Sequence, residues 1–159
     1  MSSTPSIRDI QVVKTAGPWQ SKSGGDLSVI FKLPRQDLEN FMDYDNPAFD
    51  EVSEDIRGLR MYTVEDIPTG SVGGKEWHKI RTEFITCLGG AAVLECVDLN
   101  GDERKFVLDG RNGVIVPPRI LHTYEALEDN TSLLVVANTL FIPEKPETHD
   151  TYPVESFEK

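Results

Sequence analysis

Four side chains in the second half of the sequence are of types that carry proton-transfer or metal chemistry. Glu76, His78 and Glu83 lie in the stretch GSVGGKEWHKIRTEFITCLGG, residues 70–90, and His122 ends the segment PPRILH. Because successive side chains of a strand point to opposite faces, Glu76 and His78 are expected to share a face, with Glu83 continuing on a paired strand. Polar groups that converge on an apolar interior are typical of a ligand site.

Two chemistries and one structural role fit these residues. Glu76 can act as a general base if burial raises its pKa, because desolvation disfavours a carboxylate, and His78 is then the acid or proton shuttle. Alternatively, the two carboxylates Glu76 and Glu83 with the imidazoles of His78 and His122 can bind zinc, iron, manganese or nickel. The third possibility is an internal hydrogen-bonded network with Arg60 that closes one end of the fold.

Short strands separated by turn signals make up most of the chain. Residues 59–64 alternate between apolar and polar types, and residues 132–139, SLLVVANT, form a continuous apolar run typical of a buried strand. Gly89-Gly90 is expected to fold residues 91–97 back as the antiparallel neighbour of the preceding strand, and Asn100-Gly101 is a second hairpin signal. The pattern predicts an all-β sandwich or barrel.

We expect a single folded domain at residues 9–142, preceded by a flexible tail at 1–8 and followed by a covering arm or loose tail at 143–159. Residues 36–56 contain many acidic side chains and no basic one. This segment is predicted to be a solvated insertion with a short helix, while a partner-binding surface or a flap over the pocket are alternatives.

Charge and hydropathy exclude several classes of partner. The formal net charge of −11 argues against a nucleic acid or an anionic membrane surface as the ligand. No apolar run approaches the roughly 18–20 residues of a membrane span, and no stretch has the charged-then-apolar pattern of a secretory leader. We therefore expect a cytoplasmic protein that binds a small molecule. A homodimer is expected because the edge strands of such folds are usually paired or covered.

The spacing of these residues resembles that of a known superfamily. Residues 70–90 resemble the first cupin signature and residues 117–122 the second. From residue 9 onward the chain resembles the dTDP-4-keto-6-deoxyhexose 3,4-ketoisomerase (WxcM-like) family, with the dTDP-sugar 3,5-epimerases as more distant relatives. The resemblance rests on Gly25-Asp26-Leu27, Arg60-Met61-Tyr62, residues 73–79 (GGKEWHK), Pro117-Pro118 to Tyr124, and Asp150-Thr151-Tyr152. Two positions depart from the family pattern: Gly73 replaces an arginine, and Glu76 replaces the first histidine.

The resemblance implies a single antiparallel cupin barrel of the jelly-roll, RmlC-like type, working on a sugar nucleotide. The implied reaction isomerises or epimerises a keto-deoxysugar through an enediol and needs no cofactor. The catalytic candidates are Glu76, His78, Tyr62 and His122, and the substrate-binding candidates are Arg60, Lys79, Arg119 and Tyr124. A metal-dependent cupin enzyme with one divalent transition-metal ion and a sugar-binding cupin without turnover stay open as alternatives.

Overall fold

Two facing antiparallel β-sheets form the body of the protein in a computed structural model that describes residues 4–158. Within these residues there is one α-helix, α1 (Arg35–Phe41), and there are twelve strands. The strands are β1 (Gln11–Lys14), β2 (Ala16–Gln20), β3 (Asp26–Val29), β4 (Arg57–Ile67), β5 (Val72–Trp77), β6 (Glu83–Gly89), β7 (Ala92–Val97), β8 (Glu103–Leu108), β9 (Asn112–Val116), β10 (Leu121–Ala126), β11 (Thr131–Thr139) and β12 (Tyr152–Pro153).

The strands divide into two five-stranded sheets and a separate hairpin. Sheet I has the order β1-β9-β6-β11-β4, sheet II has the order β12-β5-β10-β7-β8, and β2 pairs with β3. In residues 4–158 no strand belongs to both sheets. The predicted all-β, antiparallel jelly-roll fold is therefore confirmed, and its two sheets lie face to face without being hydrogen-bonded into a closed barrel.

The prediction for the Gly89-Gly90 turn was wrong. Strand β6 does not pair with β7; it lies between β9 and β11 in sheet I, whereas β7 lies between β10 and β8 in sheet II. The turn therefore carries the chain from one sheet to the other. Glu83 consequently faces the β5 residues across the space between the sheets and does not sit on a strand paired with them. The Asn100-Gly101 signal was correct, since β7 and β8 pair from Val97 and Glu103 onward.

Apolar side chains fill the space between the sheets and also cover the outer face of sheet I. On β11, Leu133 and Val135 belong to the inner core, while Val136 packs with Phe41 and Phe84 on the outer side. The ring of Phe31 stacks on that of Phe84, with centroids 4.3 Å apart. Burial of each such side chain contributes about 1.5–3 kcal/mol. Covering on both faces explains why residues 132–139 are continuously apolar, as predicted.

The acidic insertion is attached to the sheets by its few apolar residues. Its predicted short helix is α1, and two 3₁₀ helices follow at Pro47–Glu51 and Glu54–Ile56. All its acidic side chains are exposed, whereas Phe41, Phe49 and Ile56 are buried. No helix in the described part of the chain is long and apolar enough to cross a lipid bilayer.

The two chain ends are described only in part. Residues 1–3 of the predicted flexible tail and Lys159 lie outside the described residues. Ile7–Asp9 form a 3₁₀ turn that is capped by Ser6. At the other end, β12 pairs with β5, with Tyr152 opposite Trp77 and Pro153 opposite Glu76. The division into tail, barrel and arm stays a prediction.

Candidate active site

Both sheets contribute to one polar cluster at the end of the space between them. Glu76 near the end of β5 lies opposite His122 on β10. His78 follows β5 directly, and Glu83 begins β6 in the facing sheet. The pairing of β5 with β10 skips Lys75, whose φ of 58° marks a β-bulge immediately before Glu76. Bulges of this kind re-aim the side chains that follow them.

Glu83 is the centre of the cluster and is almost fully buried. Its Oε1 lies 3.5 Å from His78 Nε2, and its Oε2 lies 3.4 Å from His122 Nε2. The guanidinium of Arg81 donates a hydrogen bond of 3.2 Å to Oε1, and its Nε donates one of 2.8 Å to Thr139 Oγ1. Glu83 and Arg81 thus form a buried ion pair between the two imidazoles.

The hydrogen bonds of the histidines define their tautomers. His78 Nδ1 lies 2.6 Å from the backbone carbonyl of Asp150, and His122 Nδ1 lies 3.1 Å from that of Ile120. Since a carbonyl oxygen can only accept, the Nδ1 atom of each ring carries a proton. Within residues 4–158, the buried Nε2 of His78 has no hydrogen-bond partner.

Burial and neighbouring charges set the protonation of the cluster. Burial lowers the pKa of His78 to about 3, so its ring is neutral at physiological pH. Complete burial by itself would raise the pKa of Glu83, but His78, His122 and Arg81 together lower it below its ordinary value. The neutral state of His78 is compatible with its predicted role as a proton shuttle and not with that of an acid that is charged at rest.

A cavity of about 160 Å³ opens from this cluster into the space between the sheets. Burial raises the pKa of Glu76 and outweighs the opposing effect of His122, and the charge of Glu83 adds a smaller rise. Burial also raises the pKa of Tyr62, so its hydroxyl stays protonated as a hydrogen-bond donor. A carboxylate of raised basicity therefore shares one cavity with a protonated phenol. The cavity is lined by Tyr62, Val64, Gly74, Glu76, Glu83, Ile85, Leu94, His122, Tyr124, Leu133 and Val135.

An open groove of about 640 Å³ adjoins the cavity and carries two arginines. The guanidinium of Arg60 lies 4.8 Å from the ring centroid of Tyr62 and 5.4 Å from that of Phe141. Burial and the charge of Arg81 lower the pKa of Arg60, which reflects two positive charges close together. In the part of the chain that the structure describes, the buried Nε of Arg60 lacks a partner. The groove is thus suited to an anionic group.

Of the remaining predicted substrate-binding residues, the structure places Tyr124 in the cavity and leaves two outside it. Tyr124 lies over Gly73, where the family pattern has an arginine. The ammonium of Lys79 lies 5.1 Å from the ring centroid of Tyr152. The guanidinium of Arg119 contacts Glu51 of the acidic insertion at 3.3 Å. Neither Lys79 nor Arg119 is a lining residue of the cavity or of the groove.

Sequence analysis missed Arg81 and Asp150, both of which are buried at the cluster. Arg81 stands two residues before Glu83, so strand alternation extended backward from Glu83 would have indicated that the two share a face. Asp150 is one of the residues that carry the family resemblance. Nothing in the sequence indicated that it lies next to His78, which is 72 residues away.

The donor set of the cluster fits a divalent metal ion. One potential ligand atom from each of Glu76, His78 and His122 lies within 4.8 Å of the others. Both imidazoles donate Nδ1–H to a backbone carbonyl and leave Nε2 free, which is the usual arrangement of metal-binding histidines. Glu83, the fourth predicted ligand, already shares Oε1 with Arg81. When bound, such an ion would act as a Lewis acid on a substrate carbonyl.

We expect Gly73→Ala to displace Tyr124. A Cβ atom at position 73 would overlap the hydroxyl and ring of Tyr124, so the ring must leave its place in the cavity. The expected result is a loss of about 1–3 kcal/mol in the free energy of unfolding, together with weaker ligand binding. Urea denaturation and ligand titration measure both. Gly89→Ala is the control because an added Cβ there meets no atom within 4 Å; equal losses in the two variants would contradict the assignment.

The buried neutral state of His78 predicts that the metal-free protein loses stability on acidification. The pKa of His78 is 6.5 when exposed and about 3 when folded, so between these values the unfolded chain binds a proton that the folded chain does not. The free energy of unfolding should therefore fall below pH 6.5, by up to about 1.4 kcal/mol per pH unit from this group. Urea denaturation from pH 7 to 5 measures the slope. His78→Asn should flatten it, and an unchanged slope would refute the prediction.

The sequence matches one family model over most of the fold. Residues 47–148 match the model described as WxcM-like, C-terminal. No curated protein sequence matches the chain significantly.

Similar solved structures cover nearly the whole chain. QdtA, a sugar 3,4-ketoisomerase from Thermoanaerobacterium thermosaccharolyticum in complex with TDP, is 17% identical, with a TM-score of 0.62, over 95% of this chain and 96% of that chain. WlaRA, a TDP-fucose-3,4-ketoisomerase from Campylobacter jejuni, is 16% identical, with a TM-score of 0.59, over 91% and 88%. The Mycobacterium tuberculosis rmlC epimerase is 17% identical, with a TM-score of 0.57, over 87% and 67%. These similarities confirm the predicted RmlC-like cupin fold.

Proposed function

We propose, since the chain belongs to the WxcM-like family, that it isomerises or epimerises a keto-deoxysugar nucleotide. The family match spans residues 47–148, and the similar structures are two sugar 3,4-ketoisomerases and the rmlC epimerase. The observation that carries the proposal is the shared cavity of Glu76, Tyr62 and His122, in which burial raises the pKa of Glu76. Such a carboxylate is suited to remove a weakly acidic proton near neutral pH.

The proposed reaction moves a ketone to the neighbouring carbon. Glu76 takes the proton from the carbon beside the ketone; the electron pair of that C–H bond forms a C=C bond as the π pair of the ketone moves onto its oxygen, which gives an enediolate. The hydroxyl of Tyr62 donates a hydrogen bond to this oxygen where negative charge develops. His78 Nε2 accepts the proton of the neighbouring hydroxyl and returns it to the former ketone oxygen. Glu76 gives its proton to the former ketone carbon, and the electron pair on the neighbouring oxygen forms the new C=O bond. If a proton from solvent instead reaches the original carbon from the other face, the product is the epimer, and Glu76 releases its proton to solvent.

We place the diphosphate of the substrate in the groove next to the cavity. Arg60 and Arg81 both line that groove, and a guanidinium fork suits two phosphate oxygens. Phe141, which is 46% exposed and also lines the groove, offers an apolar face beside these charges. The sugar then extends toward Glu76, which lines both the groove and the cavity.

Solvent-deuterium exchange tests the proposed function directly. The protein is incubated in D₂O with dTDP-4-keto-6-deoxyglucose, and the sugar is followed by proton NMR. Loss of a ring-proton signal next to the ketone, with the appearance of an isomer or epimer, is the expected result. A sample with Glu76→Gln protein and one without protein control for spontaneous exchange. Binding of the nucleotide without exchange would instead support a sugar-binding cupin without turnover.

A metal-dependent cupin enzyme is the second candidate. The buried His78 Nε2, which has no hydrogen-bond partner among residues 4–158, favours it. Under the main proposal, protein purified without a metal-chelating tag should contain no stoichiometric transition metal. Elemental analysis before and after chelation is the measurement, with thermal stability followed in parallel. One ion per chain, lost together with stability on chelation, would assign Glu76, His78, Glu83 and His122 as metal ligands.

We further propose that the protein is a homodimer formed through sheet I. Strand β4 lies at the edge of that sheet. On its outer face the side chain of Leu59 is 52% exposed and that of Met61 is 70% exposed. Exposed apolar edge strands are usually covered by a partner. Light scattering coupled to gel filtration measures the mass of the assembly, and Met61→Lys should shift it to that of the monomer.

A further inference from the structure

Asp150 is a buried acid in a C-terminal segment that is mostly exposed. It is 1% exposed, and its carboxylate accepts hydrogen bonds from three consecutive backbone N–H groups. Its Oδ1 lies 2.9 Å from the N–H nitrogen of Lys79, and its Oδ2 lies 3.0 Å from those of Ile80 and Arg81. A carboxylate that receives three N–H groups fixes the path of that loop.

The loop that Asp150 holds is the one that carries His78. Residues 78–82 connect β5 of sheet II to β6 of sheet I, so their N–H groups are not part of a strand ladder. The N–H of Thr82 donates to the side chain of Asn138 at 2.8 Å. Four successive N–H groups thus bond to just two side chains, and Asp150 receives three of them. Without this carboxylate, three of the four N–H groups lose their acceptor.

The same residue also contacts the imidazole. The backbone carbonyl of Asp150 accepts the Nδ1–H of His78 at 2.6 Å. Pairing of β12 with β5 two residues later holds the segment in place, with the rings of Trp77 and Tyr152 4.9 Å apart. Asp150 therefore binds His78 and the loop that follows it at the same time. Its backbone carbonyl binds the ring and its carboxylate binds the backbone of residues 79–81.

We propose that Asp150 is the positioning residue for His78. Its carboxylate holds the loop at residues 79–81, so that its carbonyl binds Nδ1–H and keeps Nε2 of His78 at 3.5 Å from Glu83 Oε1. The role of the ring rests on the proposed function, in which Nε2 shuttles the hydroxyl proton. The tautomer and orientation of His78, however, follow from the hydrogen bonds alone.

The test compares Asp150→Ala with Asp98→Ala. Asp98 is the matched control because it is also fully buried and its carboxylate also accepts three backbone N–H groups, those of Ile7, Asn100 and Asp102, in a turn outside the cluster. Both variants should lose stability. Only Asp150→Ala should change the tautomer of His78, which ¹⁵N–¹³C correlation spectra of histidine-labelled protein report; the chain has three histidines, and His78→Asn assigns the signal.

The expected result is a His78 signal of pure Nδ1–H tautomer in the wild type and in Asp98→Ala, and a mixture of tautomers in Asp150→Ala. We expect kcat in the exchange assay to fall about 10–100-fold in Asp150→Ala only, with KM little changed, as for other residues that orient a functional histidine. Asp150→Asn, which keeps one acceptor oxygen, serves if the alanine variant does not fold and should show an intermediate mixture.

Two outcomes would overturn the proposal. One is an unchanged His78 tautomer in the folded Asp150 variant, and the other is an equal loss of kcat in Asp98→Ala, since either makes Asp150 a purely structural residue. The spectra need no substrate. A wild-type protein that shows the expected tautomer but no exchange would refute the proposed function and leave the positioning role of Asp150 intact.

Discussion

Replacement of Glu76 by glutamine should lower kcat by about 10²–10⁴-fold, the range expected for loss of a general base. Glutamine keeps the size and one acceptor oxygen of the side chain but cannot take up a proton. The cluster should keep its structure, because the only atoms changed are those of a half-buried carboxylate whose raised pKa already disfavours charge. The measurement is the steady-state rate of isomerisation or solvent exchange, with ligand binding followed separately.

Glu125→Gln provides the matched control for this change. Glu125 lies on β10 three residues after His122 but is exposed. The same substitution there should leave kcat unchanged. His78→Asn should also lower turnover, because it removes the free Nε2. Full activity in both Glu76→Gln and His78→Asn would show that the proposed catalytic pair is wrong, whatever the substrate.

The largest loss of stability is expected for Arg81→Met. Methionine fills a similar volume but leaves the Glu83 carboxylate buried without its only guanidinium partner among the described residues. Removal of one partner of a buried ion pair costs about 3–5 kcal/mol, because the remaining charge is desolvated and uncompensated. Thr139 loses a hydrogen-bond donor as well. Urea denaturation at pH 7 measures the change in the free energy of unfolding.

Two further variants separate charge burial from simple loss of an ion pair. Arg111→Met breaks an ion pair with Asp109 in which the arginine side chain is 88% exposed, and it should leave the urea midpoint within error. The double variant Arg81→Met/Glu83→Gln should be more stable than Arg81→Met alone, since the unpaired charge is gone. If the double variant is no more stable than the single one, Glu83 is not held charged by Arg81.

Much of the fold and part of the site follow from local patterns in the sequence. The two-residue alternation of strands predicted that Glu76 and His78 share a face, and the continuous apolar run at residues 132–139 predicted a buried strand. The acidic run at residues 36–56 and its short helix were also predictable. These features depend on the side chains of neighbouring residues, so a single sequence is enough to state them.

Only the tertiary structure decided which strands are partners and which distant side chains complete the site. Two successive glycines look the same whether they turn a hairpin or carry the chain to the opposite sheet, so the sequence did not show that Glu83 faces β5 across the interior. The ion pair of Arg81 with Glu83 and the bonds from Asp150 to the His78 loop depend on that crossing. Their energies arise from burial between two sheets, which is a property of the packed chain and not of any local stretch of it.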